Sequence, residues 1–126
     1  MVNKKLKLET IAKNFYSSIN VAEDHVIKDK DAFHDIWDRT YNPINQPSLP
    51  SVDFAKEMVL ASYLEMKSAG GWRIEIQEAI ETNKTIEVIV RESSPKTPSA
   101  SMMSNPYHMV KLEKSEKPVK FTRKSS

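Results

Sequence analysis

Cysteine is absent from the 126 residues, and glycine occurs only at positions 70 and 71. The first absence excludes disulfides, thiolate metal sites and a thiol nucleophile. It does not fix the compartment, because exported proteins also occur without disulfides. The second leaves almost every turn to proline, asparagine and serine. No apolar run approaches the roughly 18 residues of a membrane-spanning helix. There is no internal repeat and no collagen-like or coiled-coil bias. A chain of 14.4 kDa buries about two-thirds of its surface on folding, enough for one core without staples.

The net charge of +2 is unevenly spread. Residues 1–9 carry +2, residues 111–126 carry +4, and the span between them carries −4. We therefore expect a basic N-terminal tail over 1–13, one domain over 14–122 and a basic C-terminal tail over 123–126. Both tails should be frayed. Because the body between them is acidic, a nucleic-acid partner is not expected. The basic start Met1–Leu8 has no apolar stretch behind it, so it is not a complete secretory signal.

One helix is legible. Phe33, Ile36, Trp37 and Tyr41 share a face at helical spacing. Asp29 or Asp31 is placed to cap its start, and Pro43 ends it. Strands are expected around Asn14–Ile19, at His25–Ile27 and at Val59–Leu64, which is almost continuously apolar. Further strands follow from Trp72, Ile74 and Ile76, then Ile86, Val88 and Val90, where apolar and polar residues alternate. His108–Leu112 and Val119–Phe121 complete the set. Asn42–Val52, with three prolines, is a connector, and Ser93–Ser101 a polar loop. Six or seven strands without a βαβ rhythm predict a mainly β fold. It would be a small antiparallel β-sandwich or partly open barrel, with one short α-helix near 31–40.

No phosphate loop, zinc-binding HExxH, nucleophile elbow or calcium loop is present. His25, His34 and His108 lack ligand spacing and read as surface or strand histidines, so no metal and no cofactor is expected. His34, Asp35 and Asp38 form a solvated helix face. No pair stands out among Glu75, Glu78, Glu81, Glu87 and Glu92, so no catalytic residue is assigned. Two loops are concentrated instead. In Ser68–Trp72 the paired glycines imply a positive φ or a close approach, with Trp72 as core or as an exposed anchor. In Ser104–His108, Asn105 and Pro106 initiate a turn, and Tyr107 either bonds internally or anchors a partner.

Taken in order, VDFAKEMVLASYL, SAGGWRIEI, IEVIVRESSP, SNPYHMVKL and KPVKF resemble the family named after the C-terminal domain of the protease-complex subunit PrcB. The preceding HVIKDKDAFHDIWDRTY is similar to the N-terminal half of that family, so the likeness runs from about Val21 to Phe121. It implies a small β-rich domain of exported bacterial proteins, often lipoproteins. The naming member is a non-catalytic subunit associated with a cell-surface protease. Gly70 and Gly71 fall on the family's paired glycines, and Pro106 and Tyr107 on its Pro-Tyr. Trp72 stands where tyrosine is usual and Glu65 where glycine is common.

The expected function is thus a non-enzymatic, exported domain that binds another protein, such as a protease-complex or cell-envelope component. Its expected contact residues are Ser68, Gly70, Gly71, Trp72, Asn105, Pro106 and Tyr107, gathered at one end of the sandwich. The alternative is a small-ligand binder or hydrolase working from a cleft of the β-domain. For the helix, Trp37→Ala should destabilise the protein by about 3–5 kcal/mol if the ring is buried. Thermal melting measures this, and an unchanged midpoint would place the wrong helix face against the sheet.

Overall fold

The computed structural model describes residues 3–44, 46–96 and 103–125. Its strands are β1 (Lys4–Leu6), β2 (Glu9–Asn14), β3 (Glu23–Ile27), β4 (Glu57–Tyr63), β5 (Arg73–Glu81), β6 (Ile86–Ser93), β7 (Tyr107–Glu113) and β8 (Val119–Ser125), with α1 (Lys30–Thr40) between β3 and β4. They form two four-stranded sheets, ordered β1-β5-β6-β8 and β2-β7-β4-β3. The sandwich is realised, and the partly open barrel is not. Pairing is antiparallel except between β6 and β8, which run parallel. That departs from an all-antiparallel expectation because β7, in the other sheet, intervenes and returns the chain to its starting end.

Three layers explain the hydrophobic patterns. Met58, Leu60 and Leu64 from the β4 segment, with Val110 and Leu112 of β7, face Ile74, Ile76, Val88 and Val90 across the gap between the sheets. Val59, Ala61, Tyr63, Tyr107 and Met109 point the other way and pack under Phe33, Ile36 and Trp37 of the helix. The central strands of that sheet are covered on both faces, hence the unbroken apolar run. Strands β5 and β6 are covered on one face only, hence their alternation.

Asp29 caps the helix, its carboxylate accepting the Ala32 N–H at 2.8 Å. Trp37 is 4% exposed, and its indole N–H donates to the Pro47 carbonyl at 2.9 Å, tying down the proline-rich connector. The β5–β6 turn manages without glycine. Thr82 Oγ1 accepts the Lys84 and Thr85 N–H groups, and the Thr82 N–H donates to the Thr85 carbonyl.

Three expectations are corrected. Residues 4–6 and 9–13 of the supposed N-terminal tail lie in strands β1 and β2, because Leu6 and Leu8 insert between the sheets. The flanking lysines meet glutamates, as in Lys4–Glu113 and Lys5–Glu78. The supposed C-terminal tail is the end of β8 as far as Ser125; Met1, Val2 and Ser126 lie outside the described residues. The basic charge assigned to tails therefore sits on the folded surface, interleaved with acids. Finally, Phe15–Ile19 is a loop rather than a strand. Asn14 Oδ1 accepts the Phe15 N–H and Ser17 Oγ the Ile19 N–H, so local side chains replace a ladder. Of the polar loop Ser93–Ser101, residues 97–101 are outside the described set.

Arg123 closes the sandwich along one side. Its guanidinium bonds Asp24 and Glu92 at 2.8 and 2.7 Å, and donates to the carbonyls of Tyr63 and Glu23. Arg123→Met should therefore cost about 3 kcal/mol, since it strands two half-buried carboxylates. Denaturant melts measure the loss, and hydrogen exchange should show faster opening of Glu23–Ile27. Unchanged stability would mean that the sheets hold together without this contact.

Candidate protein-binding site

The end of the sandwich at which β2, β4 and β6 finish and β5 and β7 begin is assembled by Asn105. This side chain is 5% exposed. Its amide donates to the Ser17 and Ile19 carbonyls and to Asn20 Oδ1, while its Oδ1 accepts the Ser17 N–H. The Asn105 N–H donates to the Phe15 carbonyl, and the Met66 N–H to that of Asn20. Ser104 pairs with Lys67 in an antiparallel bridge, and its hydroxyl donates to the Ala69 carbonyl at 2.7 Å. Segments 15–21, 64–72 and 104–106 thus form one surface.

The two loops singled out in the sequence do meet there, but most of their residues are framework. Tyr107 is 2% exposed. Its ring stacks on Tyr63 at 5.9 Å, and its hydroxyl meets that of Tyr41 in a short hydrogen bond. Burial pushes its ionisation far above the ordinary phenol range. Asn105, Pro106 and Gly70 are buried as well. Gly71 has φ +91°, and a Cβ added there would lie 2.7 Å from Pro95 Cβ. Its role is conformational, so Gly71→Val would strain the backbone rather than probe a contact. Trp72 is half-buried on the core, with Lys67 Nζ 4.3 Å from the ring centre. Only Ser68 and Gly71 of the expected set are exposed.

Other residues carry the exposed chemistry. Phe15 and Tyr16 are 44% and 46% exposed, and Val21, Met66 and Met103 are also open. Five of the seven large exposed hydrophobics among the described residues therefore lie on this end. Phe15 borders a groove of about 400 Å³ with Lys13, Asn14, Arg73, Ile74 and Pro106, and Tyr16 borders another, of about 470 Å³, with Tyr41 and Pro47. The signal for Phe15 and Tyr16 was present: two aromatics flanked by Asn14, Ser17 and Ser18 are a turn composition.

A polar row runs beneath this end, between the sheets. Asp24, Ser62, His108 and Lys13 are successive partners across β3, β4, β7 and β2. Ser62 and His108 invite comparison with a nucleophile and its base. However, His108 Nδ1 accepts the Ile76 N–H at 2.9 Å, and its Nε2 lies 2.8 Å from the Thr10 hydroxyl. Asp24 is taken by Arg123, and the Ser62 hydroxyl is fully buried without a hydrogen-bond partner. A hydroxyl with no base and no route to solvent is not an activated nucleophile. His108 is instead a cross-sheet tie, enabled by the β5 bulge between Ile76 and Glu78. It is a strand histidine, as the sequence reading allowed, and a buried one. Among the described residues, no group of three or more His, Cys, Asp or Glu is arranged to hold a metal.

A small two-sheet sandwich carrying one helix, with an apolar loop end, is the class of domain these features define. Residues 58–113 match the family model described as PrcB C-terminal, a stretch running from β4 through β7. That stretch supplies the two middle strands of each sheet. The similarity expected over Val21–Glu57 and beyond Glu113 lies outside the matched residues. No curated protein and no solved structure matches the chain significantly.

Burial lowers the His108 pKa to about 4, with Lys13 adding repulsion and Glu75 partly offsetting it. The unfolded chain, at about 6.5, binds this proton more readily. The neutral ring thus contributes stability fully above pH 6.5 and progressively less as pH falls to 4. The loss amounts to roughly 3 kcal/mol across that window. His108→Gln should flatten the slope of unfolding free energy between pH 6.5 and 4. Equal slopes in the two proteins would show that His108 is not the titrating group.

Proposed function

We propose that the chain is a non-enzymatic domain of an exported bacterial protein. It binds another protein, a component of a protease complex or of the cell envelope, through the end built on Asn105. The observation that carries this reading is the crowding of Phe15, Tyr16, Val21, Met66 and Met103 onto one end, while elsewhere among the described residues only Val26 and Ile44 are large hydrophobics with exposed side chains. Concentrated exposed hydrophobics, aromatic and methionine residues above all, are characteristic of interfaces. The PrcB C-terminal match over residues 58–113 supports the protease-complex context. Export is part of the proposal by analogy with that family. In this reading Gly71, Trp72 and Asn105–Tyr107 hold the surface in shape, and Ser68 lies on its rim.

The test is capture of a partner from the envelope fraction of the source cell, with wild-type protein beside a Phe15→Ser, Tyr16→Ser double variant. Both side chains are about half exposed, so the melting temperature should hardly change. A partner retained by the wild type should be lost, or bind at least about 30-fold more weakly, as expected when interface anchors worth about 2 kcal/mol are removed. Identical capture by both proteins would move the docking surface elsewhere. A partner recovered only from cytoplasmic extract would contradict the exported assignment.

A further inference from the structure

We propose that the groove between the two sheets beside Phe15 recognises an acidic side chain, Asp or Glu, next to an apolar residue in an extended segment of the partner. The inference rests on the docking reading above and names the chemistry of the segment that this end takes. The groove has Lys13, Asn14 and Phe15 from the end of β2 on one side. Arg73 and Ile74 from the start of β5 lie on the other, and Pro106 completes the lining. There two cations and an exposed aromatic share a concave surface of ligand size.

Charge selects the ligand. Lys13 is ion-paired with Glu75 at 3.6 Å, and both side chains are about half exposed. The Arg73 side chain, by contrast, is exposed and its guanidinium has no hydrogen bond or ion pair among the described residues. The other three arginines all have polar side-chain partners, Glu23 for Arg39, Gln77 for Arg91, and Asp24 and Glu92 for Arg123. The groove therefore carries one uncompensated positive charge. A guanidinium presents a planar fork of donors that fits a carboxylate with two parallel hydrogen bonds. Phe15 supplies the exposed apolar wall for the neighbouring side chain. Phe15, Tyr16 and Met103 continue the apolar surface beyond the groove, which favours a peptide segment over a small free acid.

The recognition is tested with the intact chain, by following backbone and arginine side-chain NMR signals during titration. The probe is an N-acetylated, C-amidated hexapeptide with Glu-Leu at its centre and glycine elsewhere. Matched peptides replace the pair by Gln-Leu or Glu-Gly, and a fourth ends in Gln-Leu with a free carboxylate. The Glu-Leu peptide should shift the signals of Lys13, Phe15 and Arg73. Gln-Leu should bind at least about tenfold more weakly, as expected for one lost charge-assisted contact. Glu-Gly should also bind more weakly. Binding should weaken as salt is raised and be lost in Arg73→Gln, whose melting curve should match the wild type.

Equal binding of the Gln-Leu and Glu-Leu peptides, or no shift at these residues with any peptide, would overturn the proposal. Preference for the free-carboxylate peptide would overturn it in favour of a C-terminal ligand. The two readings fail separately. Envelope capture that depends on Phe15 and Tyr16 but is untouched by Arg73→Gln, with no carboxylate preference, removes the groove and leaves the docking end. Capture indifferent to Phe15 and Tyr16 removes the docking end, whatever the peptides do.

Discussion

Burial of one sheet on both of its faces is the constraint from which the rest of this molecule follows. Strands β4 and β7 contact the second sheet on one side and the helix on the other. A strand in that position has no solvent face, so a polar residue there is costly unless its hydrogen bonds are met internally, and among the described buried side chains only the Ser62 hydroxyl goes without one. His108 meets that condition through Ile76 and Thr10. Tyr63 meets it through the Thr40 hydroxyl and Tyr107 through Tyr41. The helix is thus a second wall of the core. Its last turn supplies the hydroxyl that satisfies a tyrosine in the middle of the sheet.

The loop end inherits its rigidity from this arrangement. Tyr63 closes β4 and Tyr107 opens β7, so the stacked pair fixes where the two following and preceding loops begin. Asn105 then spends its polar atoms on the backbone of Ser17 and Ile19 and on the side chain of Asn20. With those groups occupied inward, the outward side of the same segment is left to Phe15 and Tyr16. An end that is polar within and apolar without is the reverse of the usual pattern for loops. Here it results from loops that satisfy one another instead of water.

The elements whose pattern depends on a single neighbour were legible in the sequence. The Phe33, Ile36 and Trp37 stripe gave the helix and its buried face, and the alternation in β5 and β6 gave their dry sides. The paired glycines correctly marked a positive φ at Gly71. Features that depend on distant partners were not legible. Leu6 and Leu8 look like isolated apolar residues among lysines until a second sheet is there to receive them. Arg123 looks like part of a basic run until Asp24 and Glu92 are brought to it. Tyr107 was found by its chemistry, but its inward orientation is decided by Tyr41 and Tyr63, remote in the chain. The parallel β6–β8 pairing could not be read either, since only topology distinguishes a parallel neighbour from an antiparallel one.

That topology has a kinetic side. β8 adds to its sheet only beside β6, and its arginine reaches carbonyl and carboxylate groups on β3, about a hundred positions earlier in the chain. Asn105 likewise holds a segment 88 residues away. Contacts of such separation are formed against a large loop-closure entropy, which makes folding slow relative to helical domains of the same size. Until the last strand docks, β6 presents an unsatisfied edge. Once it has docked, β1 and β8 are the edges of that sheet, and Lys4, Lys5, Lys120 and Lys124 place charge along them that discourages pairing with another molecule.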